Sequence, residues 1–203
     1  MKKGNTEKYI FGVYCAGLLI QNILALKTID IFVFTMTTGV LVSPIVFMAQ
    51  DVEAEIFGYK QARKMILLAY GMNFIFTLLI SLAIVITPSV AYQNQIAFET
   101  IFSTTIRITV ASFLAYCVGS LTNAKIMTVG KEKHGLFYRA ISSTIVGQLL
   151  DNAIFSICAF AGILPNMAIA SMIIGATIWE TVYEIIFFPI TKTVINKISN
   201  ISE

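Results

Sequence analysis

Charge is what this sequence has least of. Asp, Glu, Lys and Arg make up 12% of its residues, about half the share of a soluble domain. Hydrophobic residues make up 57% and the mean hydropathy is +0.82. Little polar material is left to solvate a globular surface, which excludes a large soluble domain. Histidine is nearly absent: His134 stands in a basic loop beside Lys133 and reads as a solvated residue. The three cysteines, Cys15, Cys117 and Cys158, all fall inside apolar runs. They have no metal-ligand spacing and read as small core residues. HExxH, GxSxG and a phosphate-cradling Gly-Lys-Ser/Thr loop are all missing, so no catalytic set, metal or cofactor is expected. An ATP-driven pump would need a separate ATPase module. The net charge of +3 fits loops facing anionic lipid rather than nucleic acid.

What is present is apolar sequence in pieces of membrane-spanning length. Six segments stand out: Tyr9–Leu26, Ile31–Gln50, Met65–Thr87, Arg107–Val129, Ala140–Gly162 and Met167–Ile190. A spanning helix needs about 20 such residues. The fold class expected is therefore an all-α integral membrane protein, a bundle of six transmembrane helices, with residues 1–203 as one domain. Tyr9–Leu26 is longer than a signal-peptide core and lacks a small-x-small cleavage site, so it reads as a retained first helix. The stretch Pro88–Thr105 is too polar to span and reads as an interfacial helix or loop.

The basic residues give the orientation. With six spans, one side receives Lys2, Lys3, Lys8, Lys60, Arg63, Lys64, Lys125, Lys131, Lys133, Arg139, Lys192 and Lys197. The other receives only Lys27 and Arg107. The positive-inside rule then predicts cytoplasmic termini in the cell's inner membrane.

Ionisable residues inside such segments are costly and mark cavities or transport paths. Asp151 lies 12 residues after Arg139 and Glu180 lies 12 before Lys192, each roughly 18 Å from the basic side. Thr144, Gln148, Asp151, Asn152 and Phe155 share one face of the fifth span, and Glu180, Tyr183, Glu184 and Phe187 one face of the sixth. Thr109, Ser112, Tyr116 and Ser120 give the fourth a milder stripe, and Asn22 with Gln21 adds amides to the first. These stripes predict a polar cavity with aromatic walls, although hydrogen bonding between helices alone also explains such residues. A second acidic group, Asp51, Glu53 and Glu55, follows the second span. Asp51 and Glu55 share a helix face, and the group reads either as a solvated loop or as the end of the path. Pro44 predicts a kink in the helix entering it, and Gly58 a helix stop.

The order of motifs resembles the queuosine precursor transporter (VUT) family over nearly the whole chain. The matching residues are Gly39-x4-Pro44-x6-Asp51-x3-Glu55-x2-Gly58-x3-Ala62-Arg63; Arg107-x3-Ala111-Ser112-Phe113-x-Ala115-Tyr116; Arg139-x2-Ser142-Ser143-Thr144-x3-Gln148-x2-Asp151; and Tyr183-Glu184-x4-Pro189, with Asn22 and Lys27 near the start. The resemblance implies a six-helix importer of 7-deazaguanine bases (preQ0, preQ1 or queuine), not an enzyme. Its partners would be that small molecule and the lipid membrane. A homo-oligomer is compatible with it, and an ATPase module belongs only to the alternative reading as a component of an energy-coupling-factor importer. A membrane-embedded enzyme is a weaker alternative.

The residues expected to bind substrate are Asn22, Asp51, Glu55, Arg107, Tyr116, Gln148, Asp151, Asn152, Phe155, Trp179, Glu180, Tyr183 and Glu184. A carboxylate such as Asp151 or Asp51 accepts the adjacent N–H and amine of the base as a bidentate pair. Gln148 and Asn152 read its carbonyl edge, and Trp179, Tyr183, Phe155 or Tyr116 stack on the ring. The sequence departs from the family where Gln and Asp often follow the fourth-span Ala-Tyr: Ser120 and Asn123 stand there. It also has Glu180 where the family usually has Lys, which predicts preference for precursors bearing an amine.

Overall fold

The computed structural model describes residues 3–129, 131 and 133–201, with side chains described from residue 5 to 199 within those ranges. Lys2 and the side chain of Lys3, counted above with the basic side, lie outside the described residues. Helix α1 (Lys3–Leu24) leads into a hairpin of β1 (Thr28–Ile31) and β2 (Phe34–Thr37), then a 3-10 turn (Thr38–Leu41). Helices α2 (Ser43–Phe57), α3 (Tyr59–Val85), α4 (Gln95–Phe102), α5 (Thr105–Thr128), α6 (Leu136–Phe160) and α7 (Asn166–Ile201) follow.

The pattern of burial is that of a membrane protein. Leu68, Phe74, Ile75, Leu78, Leu79 and Leu82 are exposed along α3, while Asn73 and Thr77 of the same helix are buried. Such an arrangement needs apolar solvent outside and polar partners inside. Thr77 supplies one, with its hydroxyl 2.6 Å from that of Thr109 on α5. Four described helices are long and apolar enough to cross a membrane: α3, the α4–α5 stretch, α6 and α7. The chain is thus a predominantly helical, multi-pass membrane protein. Helix α1 has 22 residues, about 33 Å of helix, and buries Tyr14 and Leu18 against α2 and α3.

The second apolar segment is where the structure departs from expectation. Ile31–Gln50 is not one spanning helix; its first part folds into the hairpin and the 3-10 turn, and α2 has only 15 residues. The alternation in Thr28-Ile-Asp-Ile and Phe34-Thr-Met-Thr suits a strand pair, and Thr35 donates its hydroxyl to Asp30 across it at 2.7 Å. The hairpin docks on α7, where Ser171 Oγ accepts the Thr35 N–H at 3.2 Å. Phe34 lies over Gly175 so closely that a Cβ there would come within 2.5 Å of the Phe34 Cβ. Pro44 does not kink a helix. It sits in the first turn of α2, where its missing N–H costs nothing. Gly58, at φ 81°, separates α2 from α3 in backbone geometry that disfavours any side chain.

Helices α5 and α6 cross with their backbones close together. A Cβ on Gly119 would lie 2.5 Å from Asp151 Cβ, and one on Gly147 would lie 2.7 Å from Asn123 Cβ. Small residues at such crossings let two backbones meet. This contact fixes where Asp151 stands.

Candidate functional site

The polar stripes of several helices meet in one cavity of about 70 Å³, room for several waters. Of the residues expected to bind substrate, Asn22, Tyr116, Gln148 and Asp151 line it, with Asn152, Phe155 and Glu180. Met36, Thr37 and Val40, from the hairpin and 3-10 turn, line it as well. The hairpin therefore forms part of the cavity wall.

The two carboxylates are held differently. Glu180 accepts from Asn152 Nδ2 at 2.8 Å and from Ser43 Oγ at 3.3 Å. Asn152 also reaches Thr177 Oγ1 at 3.2 Å, so its amide locks α6 to α7. Asp151 has no hydrogen bond or ion pair among the described residues. Ser112 donates to Asn22 Oδ1 at 3.0 Å, leaving the Asn22 amide nitrogen buried without a partner. Among the described residues no Lys, Arg or His lines the cavity. Free acceptors on Asp151, a free donor on Asn22 and the Gln148 amide can together satisfy a small ligand rich in donors, or one carrying positive charge.

The aromatic wall is partly the one expected: Tyr116 and Phe155 line the cavity, whereas Trp179 and Tyr183 do not. Tyr70 and Tyr116 line the cavity as a tilted pair with ring centroids 3.7 Å apart. Trp179 and Tyr183 lie outside it, in an edge-to-face ladder with Phe187 at 5.2 and 6.0 Å. Tyr70 was missed, although Tyr70, Asn73 and Thr77 recur at i, i+3 and i+7 on α3 and mark a buried polar face.

The remaining expected residues lie elsewhere. Arg107 donates to the carbonyls of Cys158 at 2.9 Å and Ala161 at 2.5 Å, capping the C-terminal end of α6. Glu55 pairs with Arg139 at 2.8 Å and Lys131 at 3.2 Å, and Arg139 also donates to the Met127 carbonyl. That cluster ties the end of α2 to the α5–α6 connection. Asp51 and Glu53 are buried, so their segment is not a solvated loop. Glu184 is buried one helical turn from Glu180, with Oε1 unpartnered.

Residues 37–194 match the profile of a family described as "Putative vitamin uptake transporter". A "Probable queuosine precursor transporter" of Bacillus subtilis is 30% identical over 159 residues, covering 76% of this chain and 67% of that protein. One of the same description from Haemophilus influenzae is 29% identical over 136 residues, covering 67% of this chain and 57% of its own length. No solved structure matches the chain.

Proposed function

Because the chain belongs to the vitamin uptake transporter family, we propose that it imports a 7-deazaguanine precursor of queuosine across the cytoplasmic membrane. It is a transporter, not an enzyme. The observation that carries the substrate reading is the cavity that unpartnered Asp151 lines together with the Tyr70–Tyr116 pair, with no basic side chain among the described lining residues. An unpartnered carboxylate in an apolar bundle is costly until a ligand satisfies it. A 7-deazaguanine offers N–H and exocyclic NH2 side by side for that carboxylate and a flat face for the tyrosines. The amides of Gln148 and Asn22 suit its remaining polar edge.

Six crossings complete the reading: α1, the hairpin with α2, α3, α5, α6 and α7. One end of this bundle then carries Lys8, Lys60, Arg63, Lys64, Lys125, Lys131, Lys133, Arg139, Lys192 and Lys197, and the other only Lys27 and Arg107. That asymmetry supports cytoplasmic termini and a cavity reached from outside past the hairpin. The deciding experiment is uptake of labelled preQ0, preQ1 and queuine into cells making this protein but unable to synthesise the bases. Accumulation above the empty-vector control is expected for at least one of them. No uptake of any base overturns the reading, and uptake lost on deleting the host's ATPase module transfers it to an energy-coupled complex.

A further inference from the structure

Asp51 lies on α2 outside the cavity lining and is 1% exposed, and neither of its carboxylate oxygens has a hydrogen-bond partner among the described residues. The charged groups within electrostatic reach are Glu184 on α7, Glu55 on its own helix and Arg139 on α6. Arg139 acts on Asp51 only through its field and forms no ion pair with it, because its guanidinium is taken by Glu55 at 2.8 Å and by the carbonyls of Met127 and His134. Lys131 is also bound to Glu55, at 3.2 Å. Glu184 adds a second carboxylate, 5% exposed, with Oε1 unpartnered. Two buried carboxylates with no ion pair of their own are costly to keep ionised together. Among the described residues no group of three or more His, Cys, Asp or Glu is suited to a metal ion. A proton needs no such coordination shell.

We infer that Asp51 and Glu184 form a proton-binding site that couples import to proton movement. The inference rests on the importer reading above. The link to substrate is mechanical and lies on the same two helices. Glu180, one turn before Glu184 on α7, accepts from Ser43 at the start of α2, the helix that carries Asp51. A proton on the pair lets α2 and α7 lie together. Its loss leaves a like charge on each helix and pushes the helices apart on the side away from the hairpin. Substrate at Glu180 acts on that same helix pair, so the two loads work through one joint.

Two measurements test this. Infrared difference spectra of the purified, substrate-free protein across pH read protonated buried carboxyls directly. Wild type is expected to show such a carboxyl signal that Asp51→Asn or Glu184→Gln removes; a signal unchanged in both variants overturns the site, whatever the substrate. In proteoliposomes with an alkaline interior, wild type is expected to concentrate labelled preQ1. Either variant that inserts normally is expected to keep preQ1 counterflow and lose gradient-driven accumulation. Accumulation insensitive to the proton gradient, or driven by sodium with that gradient collapsed, overturns the coupling. If no base is carried while the infrared signal behaves as expected, the importer reading fails and the proton site stands.

Discussion

Asp151 differs from every other acid in the bundle interior by facing open space without a partner. Asp151→Asn keeps the shape but exchanges an acceptor oxygen for an NH2 that meets the donors of the base head-on. Losing a charge-assisted bidentate pair costs about 2–3 kcal/mol, so uptake is expected to fall roughly 30-fold or more at 1.4 kcal/mol per decade. Membrane insertion should be unchanged; near-normal uptake would make Asp151 a helix–helix hydrogen-bonding residue instead. Glu180 carries the selectivity prediction. Gln in its place still accepts from Asn152 and Ser43, so the geometry survives and only the charge goes. PreQ1 and queuine carry an amine that is cationic near neutral pH, whereas preQ0 carries a neutral nitrile. Competition uptake is expected to favour the two amines in wild type and to lose that preference in Glu180→Gln. An unchanged order would remove Glu180 from recognition. Arg139→Ala makes a different kind of prediction, because Glu55 then keeps only the half-exposed Lys131. Breaking a buried pair of this kind costs about 3 kcal/mol, and a fall in thermal stability in detergent is expected to report it.

At the scale of elements, the hairpin has the least regular fold and the most defined seat. Gly175→Leu raises helix propensity in α7 but drives a side chain into Phe34. The expected result is intact helicity by circular dichroism with the hairpin displaced. A single Met36→Cys probe, with Cys15, Cys117 and Cys158 replaced, should then label faster; unchanged labelling would mean the hairpin does not cover the cavity. This element was not legible in the sequence. Ile31–Gln50 is an unbroken apolar run, and such a run fits a buried helix as well as strands. What decides between them is Ser171 and Gly175, some 140 residues further along the chain. The long helices were legible because their apolar periods exceed any strand. Asn22, Gln148, Asp151 and Asn152 were legible because polar side chains are rare on such helices. Trp179 and Tyr183 misled because one helix alone cannot say which of its faces points inward. Trp179 sits a step of about 100° from Glu180, which is enough to carry it out of the cavity. Tyr70 stayed hidden because α3 carries no charge in its middle to draw the eye to that face.

Across the whole molecule the charge pattern and the burial pattern make one statement about the membrane. The leucine face of α3 meets lipid, while Asn73, Thr77, Asn123, Thr144 and Gln148 point inward. The helix ends sort into a basic end and one with two basic residues, of which Arg107 is already bound to the carbonyls of Cys158 and Ala161. This sorting depends on α1 crossing the membrane, which its 22 residues, about 33 Å of helix, are long enough to do. The hairpin tip is the place to test it, because Val33 is 83% exposed and follows α1 by only a few residues. If α1 crosses, Val33→Cys in the cysteine-free protein is labelled by an impermeant reagent from outside intact cells, and a tag at the N-terminus is not reached until the cells are opened. Reporters in the 93–99 stretch and at Glu203, a residue outside those described, should likewise read opposite sides, because three helices separate them. Labelling of Val33→Cys only after lysis would put the hairpin on the same side as the termini. Helix α1 would then lie along the surface, and the outside route to Asp151 past the hairpin would be lost. Adding lysines at Ser89 and Gln93 sharpens the result: positive charge placed on the outer side opposes insertion, so the amount of correctly oriented protein should fall while that of a variant with the same lysines added beside Lys60 should not.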